Sequence, residues 1–208
     1  MLEMERVADL PGPIVFRRDV HRDEHGVYVE SWHERRYGHA GLLARFVQVD
    51  CSRSRRDVLR GLHFQNPHPQ GKLVSVIRGA ILYVAVDIRV GSPTLGRWMG
   101  VRLSAENGLQ LWVPPDFAHG FVTLTDEADI LCHCTDFHRP EAERTLLWND
   151  RELGIEWSVE RPLLAPKDAA GETLHALREA DGLPFYRAGD RPPPDRRIPT
   201  GTRVPLVR

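Results

Sequence analysis

Lysine is almost missing from this chain. Of 28 Lys and Arg residues only Lys72 and Lys167 are lysines, which leaves 26 arginines among 208 residues. The two side chains are not interchangeable where a compact donor or a tunable pKa is needed. The two retained ammonium groups therefore mark candidate sites, although codon drift produces such counts too. Net charge is nearly missing as well. A formal −1 offers no global field to attract nucleic acid or an anionic membrane surface. No apolar run approaches the roughly 20 residues that a membrane span needs. The order Met1-Leu2-Glu3-Met4-Glu5-Arg6 lacks the basic and then apolar pattern of a secretory signal. Cysteine is scarce: Cys51, Cys132 and Cys134 cannot all pair, and the last two are too close on a strand for an easy bridge. No disulfide framework is expected, and a reducing cytoplasm is the simplest location. Hydrophobic content of 41% and charged content of 27% fit a soluble globular domain long enough to bury a core.

What is present is a series of short β-rich runs between Ile14 and Trp157. Ile14-Val15-Phe16 and Val27-Tyr28-Val29 flank the polar turn Asp23-Glu24-His25-Gly26, and Phe46-Val47-Gln48-Val49 alternates at period 2. Leu73–Ile77 and Ile81–Ile88 read as a hairpin joined at Arg78-Gly79-Ala80. Runs at Trp98–Leu103, Gln110–Val113, Gly120–Thr125 and Ile130–Thr135 continue the series, with glycine or proline in nearly every gap. Such spacing argues for a sandwich or barrel. Two stretches look helical, Glu34–Leu43 and Ala169–Ala180. From Arg187 onward, Arg191-Pro192-Pro193-Pro194 and its neighbours show no core-forming pattern. This reads as a mobile tail, or a partner-binding arm, after a single domain over residues 1–186.

The chemistry concentrates in Leu59-Arg60-Gly61-Leu62-His63-Phe64-Gln65, followed nine residues after the histidine by Lys72. This sets one titratable base and one fixed cation beside each other on what reads as paired β-structure. Imidazole titrates near neutrality and so serves as such a base. Each residue alone has a plainer reading. His63 also fits a satisfied core histidine, Lys72 a solvated hairpin residue, and Asp168 the cap of a helix beginning at Ala169.

Taken together, the ordered motifs carry a resemblance. They are Leu59–Gln65, Gln70-Gly71-Lys72-Leu73-Val74, Val84–Arg89, Gly91-Ser92-Pro93-Thr94, Gln110–Pro114, Phe117-Ala118-His119-Gly120-Phe121, Leu147–Asp150 and Lys167-Asp168-Ala169-Ala170. The chain resembles the dTDP-4-dehydrorhamnose 3,5-epimerases over roughly Ile14 to Ala170. The resemblance implies an all-β, cupin-type jelly-roll barrel with a few short helices. It implies a homodimer with exchanged N-terminal strands, and neither metal nor organic cofactor. The implied substrate is a nucleotide-diphospho-4-keto-6-deoxy sugar, most simply dTDP-linked. The implied base is His63 oriented by Asp168, with Lys72 as donor to the enolate oxygen. Arg60 is expected at the diphosphate, a role suited to a forked guanidinium. Gln48, His119 and Lys167 are expected in the substrate pocket, and Glu30 is expected to reach it from the neighbouring subunit.

Several positions depart from the family pattern. Where the family places a tyrosine acid on a late strand, this chain reads Ile130-Leu131-Cys132-His133-Cys134. A thiol can carry a proton, at roughly 8.5 against roughly 10 for a phenol, but it is far shorter and would need a water to span the gap. Alternation puts Cys132 and Cys134 on one face and His133 on the other. His25 stands where an arginine is usual, Asp50 where an asparagine is usual, and His138 where a second tyrosine is common. An intact base, lysine and aspartate beside these changes predicts an altered substrate or outcome, with inversion restricted to C3 as one form.

Three other readings use the same scaffold. A metal cupin would carry a His-x-His pair with a nearby Glu, which the surroundings of His63 lack. Cys132-His133-Cys134 does not supply the four ligands of structural zinc. A nucleotide-sugar ketoisomerase also moves a proton next to a carbonyl, but with a different histidine arrangement. A non-catalytic nucleotide-sugar-binding homologue would keep the pocket and lack the acid.

Overall fold

Alternation at period 2 decides the architecture of this protein. The computed structural model describes residues 2–6 and 9–186, so the tail expected from Arg187 lies outside the described residues. In chain order the elements are β1 (Glu3–Arg6), β2 (Ile14–Arg17), β3 (Val20–Asp23), β4 (Gly26–Val29), α1 (Glu34–His39), β5 (Gln48–Arg55) and β6 (Val58–Gln65). They continue with β7 (Lys72–Arg78), β8 (Ala80–Asp87), β9 (Trp98–Ser104), β10 (Leu109–Val113), β11 (Phe117–Thr123) and β12 (Glu127–Cys134). The last are β13 (Glu143–Thr145), β14 (Leu163–Leu164), α2 (Pro166–Ala169) and α3 (Leu174–Glu179). One sheet runs β1-β2-β10-β7-β12-β5 and the other β13-β6-β11-β8-β9, with β14 on β6, while β3 pairs β4 as a separate hairpin. Two antiparallel sheets whose consecutive strands keep changing sheet make a jelly roll, the all-β class expected.

Strand β8 shows why the sheets stack. Ile81, Tyr83 and Ala85 enter the core between the sheets, joined there by Val74, Leu103, Leu111, Phe121 and Ile130. Val84 and Val86 point the other way, under Leu146, Trp157, Leu174 and Leu177 from the C-terminal segment. The outer face of the first sheet is covered in turn by Tyr37 and Leu42, with Trp32 and Phe46 packed alongside. Each fully buried Leu, Ile or Val side chain contributes about 1.5–3 kcal/mol through lost apolar surface. Burial on both faces of β8 therefore explains its almost continuous apolar sequence.

The hairpin expected across Arg78-Gly79-Ala80 does not form. β7 pairs β10 and β12, whereas β8 pairs β9 and β11. Gly79 alone carries the chain from one sheet to the other, at φ +72, where a Cβ would meet the Glu127 carbonyl oxygen at 2.1 Å. Only glycine fits that corner. The helix expected over Ala169–Ala180 is also corrected: it is two pieces, α2 and α3. The side chain of Thr173 caps α3 by accepting from the Ala176 amide at 3.1 Å. Asp168 sits within α2 behind the N-cap residue Ala165, so it is not the cap. The first helix ends at His39 and does not reach Leu43. The turn at Asp23–Gly26 is flanked by Val20–Asp23 and Val27–Val29, while Ile14–Phe16 pairs elsewhere.

Candidate active site

Strands β6 and β11 cross tightly at Gly61. This residue has φ +118, and a Cβ there would lie 2.7 Å from both the Gly120 Cα and the His119 carbonyl oxygen. The pairing slips between His119 and Phe121, leaving His63 and His119 as direct partners. A bulge of this kind re-aims side chains. Both imidazoles face one cleft of about 130 Å³, which Lys72, Gln70, His138 and Glu143 also line. His63 Nε2 lies 2.5 Å from the Asp168 carboxylate, and its Nδ1 lies 3.9 Å from Glu143. Asp168 is 1% exposed, so the short helix α2 presents a desolvated carboxylate to the ring. A buried charge of this sort is retained only with a partner that satisfies it. The His63 ring is thus hydrogen-bonded to a carboxylate and lines the cleft, rather than lying enclosed in the apolar core.

Lys72 comes from the opposite sheet. Its ammonium donates to Gln70 Oε1 at 2.7 Å and to Cys134 Sγ at 3.1 Å. Cys132 and Cys134 point inward together with their sulfurs 3.9 Å apart, while His133 turns outward against Trp32 and Phe46, as alternation requires. Cys132 packs on the inter-sheet core behind the cleft lining. Its hydrogen bond to Cys134, together with burial, pushes its thiol up and keeps it protonated. The same bond, aided by Lys72 against the cost of burial, brings Cys134 down to about 7.

The remaining expected residues fall into two groups. His119 and His138 line the cleft. Gln48 donates to both Asp50 carboxylate oxygens and accepts from the His138 backbone amide, while Asp50 lies 3.6 Å from Cys134. Lys167 joins through Glu143 at 2.6 Å. Arg60 is exposed outside the cleft lining and donates to Ser54 Oγ at 3.0 Å. Two further residues are not brought to the site within one chain. His25 sits at the exposed tip of the β3–β4 hairpin, where it meets Glu24. Glu30 lines a second cleft with Arg18, His21 and Arg36, and ion-pairs with Arg36 at 3.2 Å.

Sequence reasoning missed Glu143, Gln70, Cys134 and Tyr83. Two of them had a local signal: Gln70 precedes Lys72 by two, and Cys134 shares a strand face with Cys132. Glu143 had none, because only the pairing of β13 with β6 places it opposite Gln65 and beside His63. Burial works against its ionised form. A hydrogen bond from Lys167 and the nearby His63 still hold its carboxyl below the usual range.

The sequence model described as dTDP-4-dehydrorhamnose 3,5-epimerase matches residues 7–176. The chain belongs to this family. A dTDP-4-dehydrorhamnose 3,5-epimerase of Pseudomonas aeruginosa is 48% identical over 177 residues, covering 84% of this chain and 96% of that protein. The crystal structure of a Legionella pneumophila dTDP-6-deoxy-D-glucose-3,5-epimerase with dTDP-4-keto-L-rhamnose aligns at TM-score 0.84 and 43% identity, over 90% of this chain and all of that one. A 3'-monoepimerase from Streptomyces bikiniensis with dTDP-quinovose aligns at TM-score 0.80 and 32% identity, over 84% and 90% of the two chains. Among the described residues of this epimerase-family chain, no helix is long and apolar enough to cross a membrane.

Two of the histidines make the stability of this epimerase pH-sensitive. Burial holds His119 and His133 below the ordinary 6.5, so both fold as neutral rings. The unfolded chain then binds protons first as the pH falls. Stability is complete above about pH 6.5 and is lost below it, at up to about 1.4 kcal/mol per pH unit for each ring. Thermal melts from pH 7.5 to 5.5 should show a falling Tm, and His133→Leu should flatten the slope. A Tm constant across that window would contradict the buried neutral state.

Proposed function

We propose that this chain epimerises a dTDP-linked 4-keto-6-deoxy sugar without a cofactor, beginning with His63 removing the hydrogen on carbon next to the C4 ketone. The observation that carries this reading is the His63 ring, held at 2.5 Å by a carboxylate that is 1% exposed and set in the same cleft as Lys72. The proton moves from carbon to the imidazole, and Asp168 stabilises the imidazolium that results. The electron pair shifts onto the ketone oxygen, where the Lys72 ammonium meets the developing charge. A proton must then return to carbon from the opposite face. Cys132 stands where the resemblance places the family's tyrosine, on the sheet opposite His63. As a short thiol it delivers its proton through a water. That longer path supports inversion at C3 alone, with C5 exchanged little or not at all.

The same reading includes a homodimer. Among the described residues the β3–β4 hairpin pairs only with itself, and Val27 and Tyr28 on it are 56% and 69% exposed. A second copy covering this hairpin would bury those residues and carry His25 and Glu30 towards the partner's cleft. Arg60 would then meet the diphosphate at the rim, and the protein would work in the cytoplasm.

Incubation with a dTDP-4-keto-6-deoxy sugar in D₂O, followed by proton NMR, tests the reaction. Loss of the C3 signal alone is expected. Loss at both C3 and C5 would make the enzyme a 3,5-epimerase. Retention of both, with thermal stabilisation by the nucleotide sugar, would leave a binding protein in place of an enzyme.

A further inference from the structure

Tyr83 is a buried phenol that the reaction above does not use. It lies on β8 at 3% exposure, and its hydroxyl meets His119 Nδ1 at 2.9 Å. The two rings are stacked at 13° with centroids 5.9 Å apart, and Phe121 stacks on the other side of the phenol at 6.2 Å. His119 is the cross-strand partner of His63, and it lines the cleft that Lys72 enters from the opposite sheet. A phenol between an imidazole and an apolar cluster must donate its proton somewhere, since a buried unsatisfied hydroxyl costs about 1–3 kcal/mol. Nδ1 of His119 is the acceptor recorded for it among the described residues.

We propose that Tyr83 is a positioning residue that locks His119 as its Nε2–H tautomer, making His119 a neutral second donor, beside Lys72, to the enolate oxygen. The proposal rests on the epimerase reading for its substrate and on the Tyr83–His119 geometry for its mechanism. A neutral imidazole fixed by a hydrogen bond at one nitrogen presents the N–H of the other to a ligand. Donors aimed in advance at developing charge act strongly in a cavity shielded from water. Burial supports the protonation states, raising the Tyr83 phenol and lowering the His119 imidazole, so the phenol donates and the ring stays neutral. No proton leaves the pair during the reaction: His119 Nε2–H hydrogen-bonds to the enolate oxygen and keeps its hydrogen. Cys132 packs on the same apolar cluster as Tyr83.

Tyr83→Phe keeps the ring and its stacking and removes only the hydroxyl. With a dTDP-4-keto-6-deoxy sugar, kcat should fall by about 10-fold or more at unchanged KM, as for loss of a transition-state donor. In a His119→Gln background the same change should have no further effect. The tautomer is read separately on the resting protein by ¹⁵N NMR, with His119→Gln to assign the signals. Nδ1 should be unprotonated and Nε2 protonated in the wild type, and Tyr83→Phe should disturb that pattern. Unchanged kcat in Tyr83→Phe, additive losses in the double variant, or a protonated Nδ1 in the wild type would each overturn the proposal. A wild type that exchanges no substrate hydrogen sinks the epimerase reading instead, and the ¹⁵N spectrum still decides the tautomer.

Discussion

His63→Ala should lower the rate of substrate hydrogen exchange in D₂O by at least roughly 10²-fold, the size expected when a positioned general base is removed. The imidazole is the group that meets both requirements of such a base. It is oriented through Nε2 by Asp168, and it faces the cleft with its other nitrogen. Glu143 lies 3.9 Å from that nitrogen, yet it is committed to Lys167 at 2.6 Å and makes a poor substitute base. Binding should persist, because the cation and the other cleft residues are untouched. Calorimetry with dTDP and a melting curve separate loss of chemistry from loss of fold. The melting curve is needed because the variant leaves a 1% exposed carboxylate without its ring. Exchange at the wild-type rate in a folded His63→Ala protein would remove the base assigned here and the mechanism with it.

Lys72→Met should cost about 10²–10³-fold in kcat, the usual loss when one preorganised donor to an oxyanion is removed. Methionine matches the length and keeps the apolar stem, so what is lost is the charge and its hydrogen bonds to Gln70 and Cys134. A second consequence is independent of turnover. Cys134 is held at about 7 by its bond to Cys132, with Lys72 assisting through its field and a hydrogen bond, so removing the ammonium should move that thiol upward. Thiolate absorbance near neutral pH should therefore be weaker in the variant. Full activity in Lys72→Met would show that another group receives the enolate charge. An unchanged thiol titration would show that the Lys72–Cys134 contact is not electrostatic.

The retention of lysine in an arginine-rich chain has a physical reading at both positions. At Lys72 a compact ammonium reaches a thiol on the neighbouring strand and an amide oxygen just before its own, where a planar fork would need more room. At Lys167 the ammonium closes on Glu143, one residue away from the Asp168 that holds His63. One of the two rare lysines thus lines the cleft with His63, and the other reaches it through Glu143.

By itself the sequence determined which residues alternate, which strands are apolar on both faces and which segment carries the base and the cation. These are local properties, because the period-2 pleat needs no knowledge of the neighbouring strand. That is why Cys132 was separable from His133 along the chain alone. Tertiary structure decided everything that depends on which sheet a strand joins. The turn at Gly79 looked like a hairpin because two apolar strands flank it. Both strands instead bury two faces in different sheets, which the one-residue corner permits. The same long-range pairing brought Glu143 beside His63, seated Tyr83 behind His119, and left His25 and Glu30 away from the cleft of their own chain. A carboxylate more than one hundred positions from its imidazole, 105 for Asp168 and His63, becomes a partner only when the fold has closed around both.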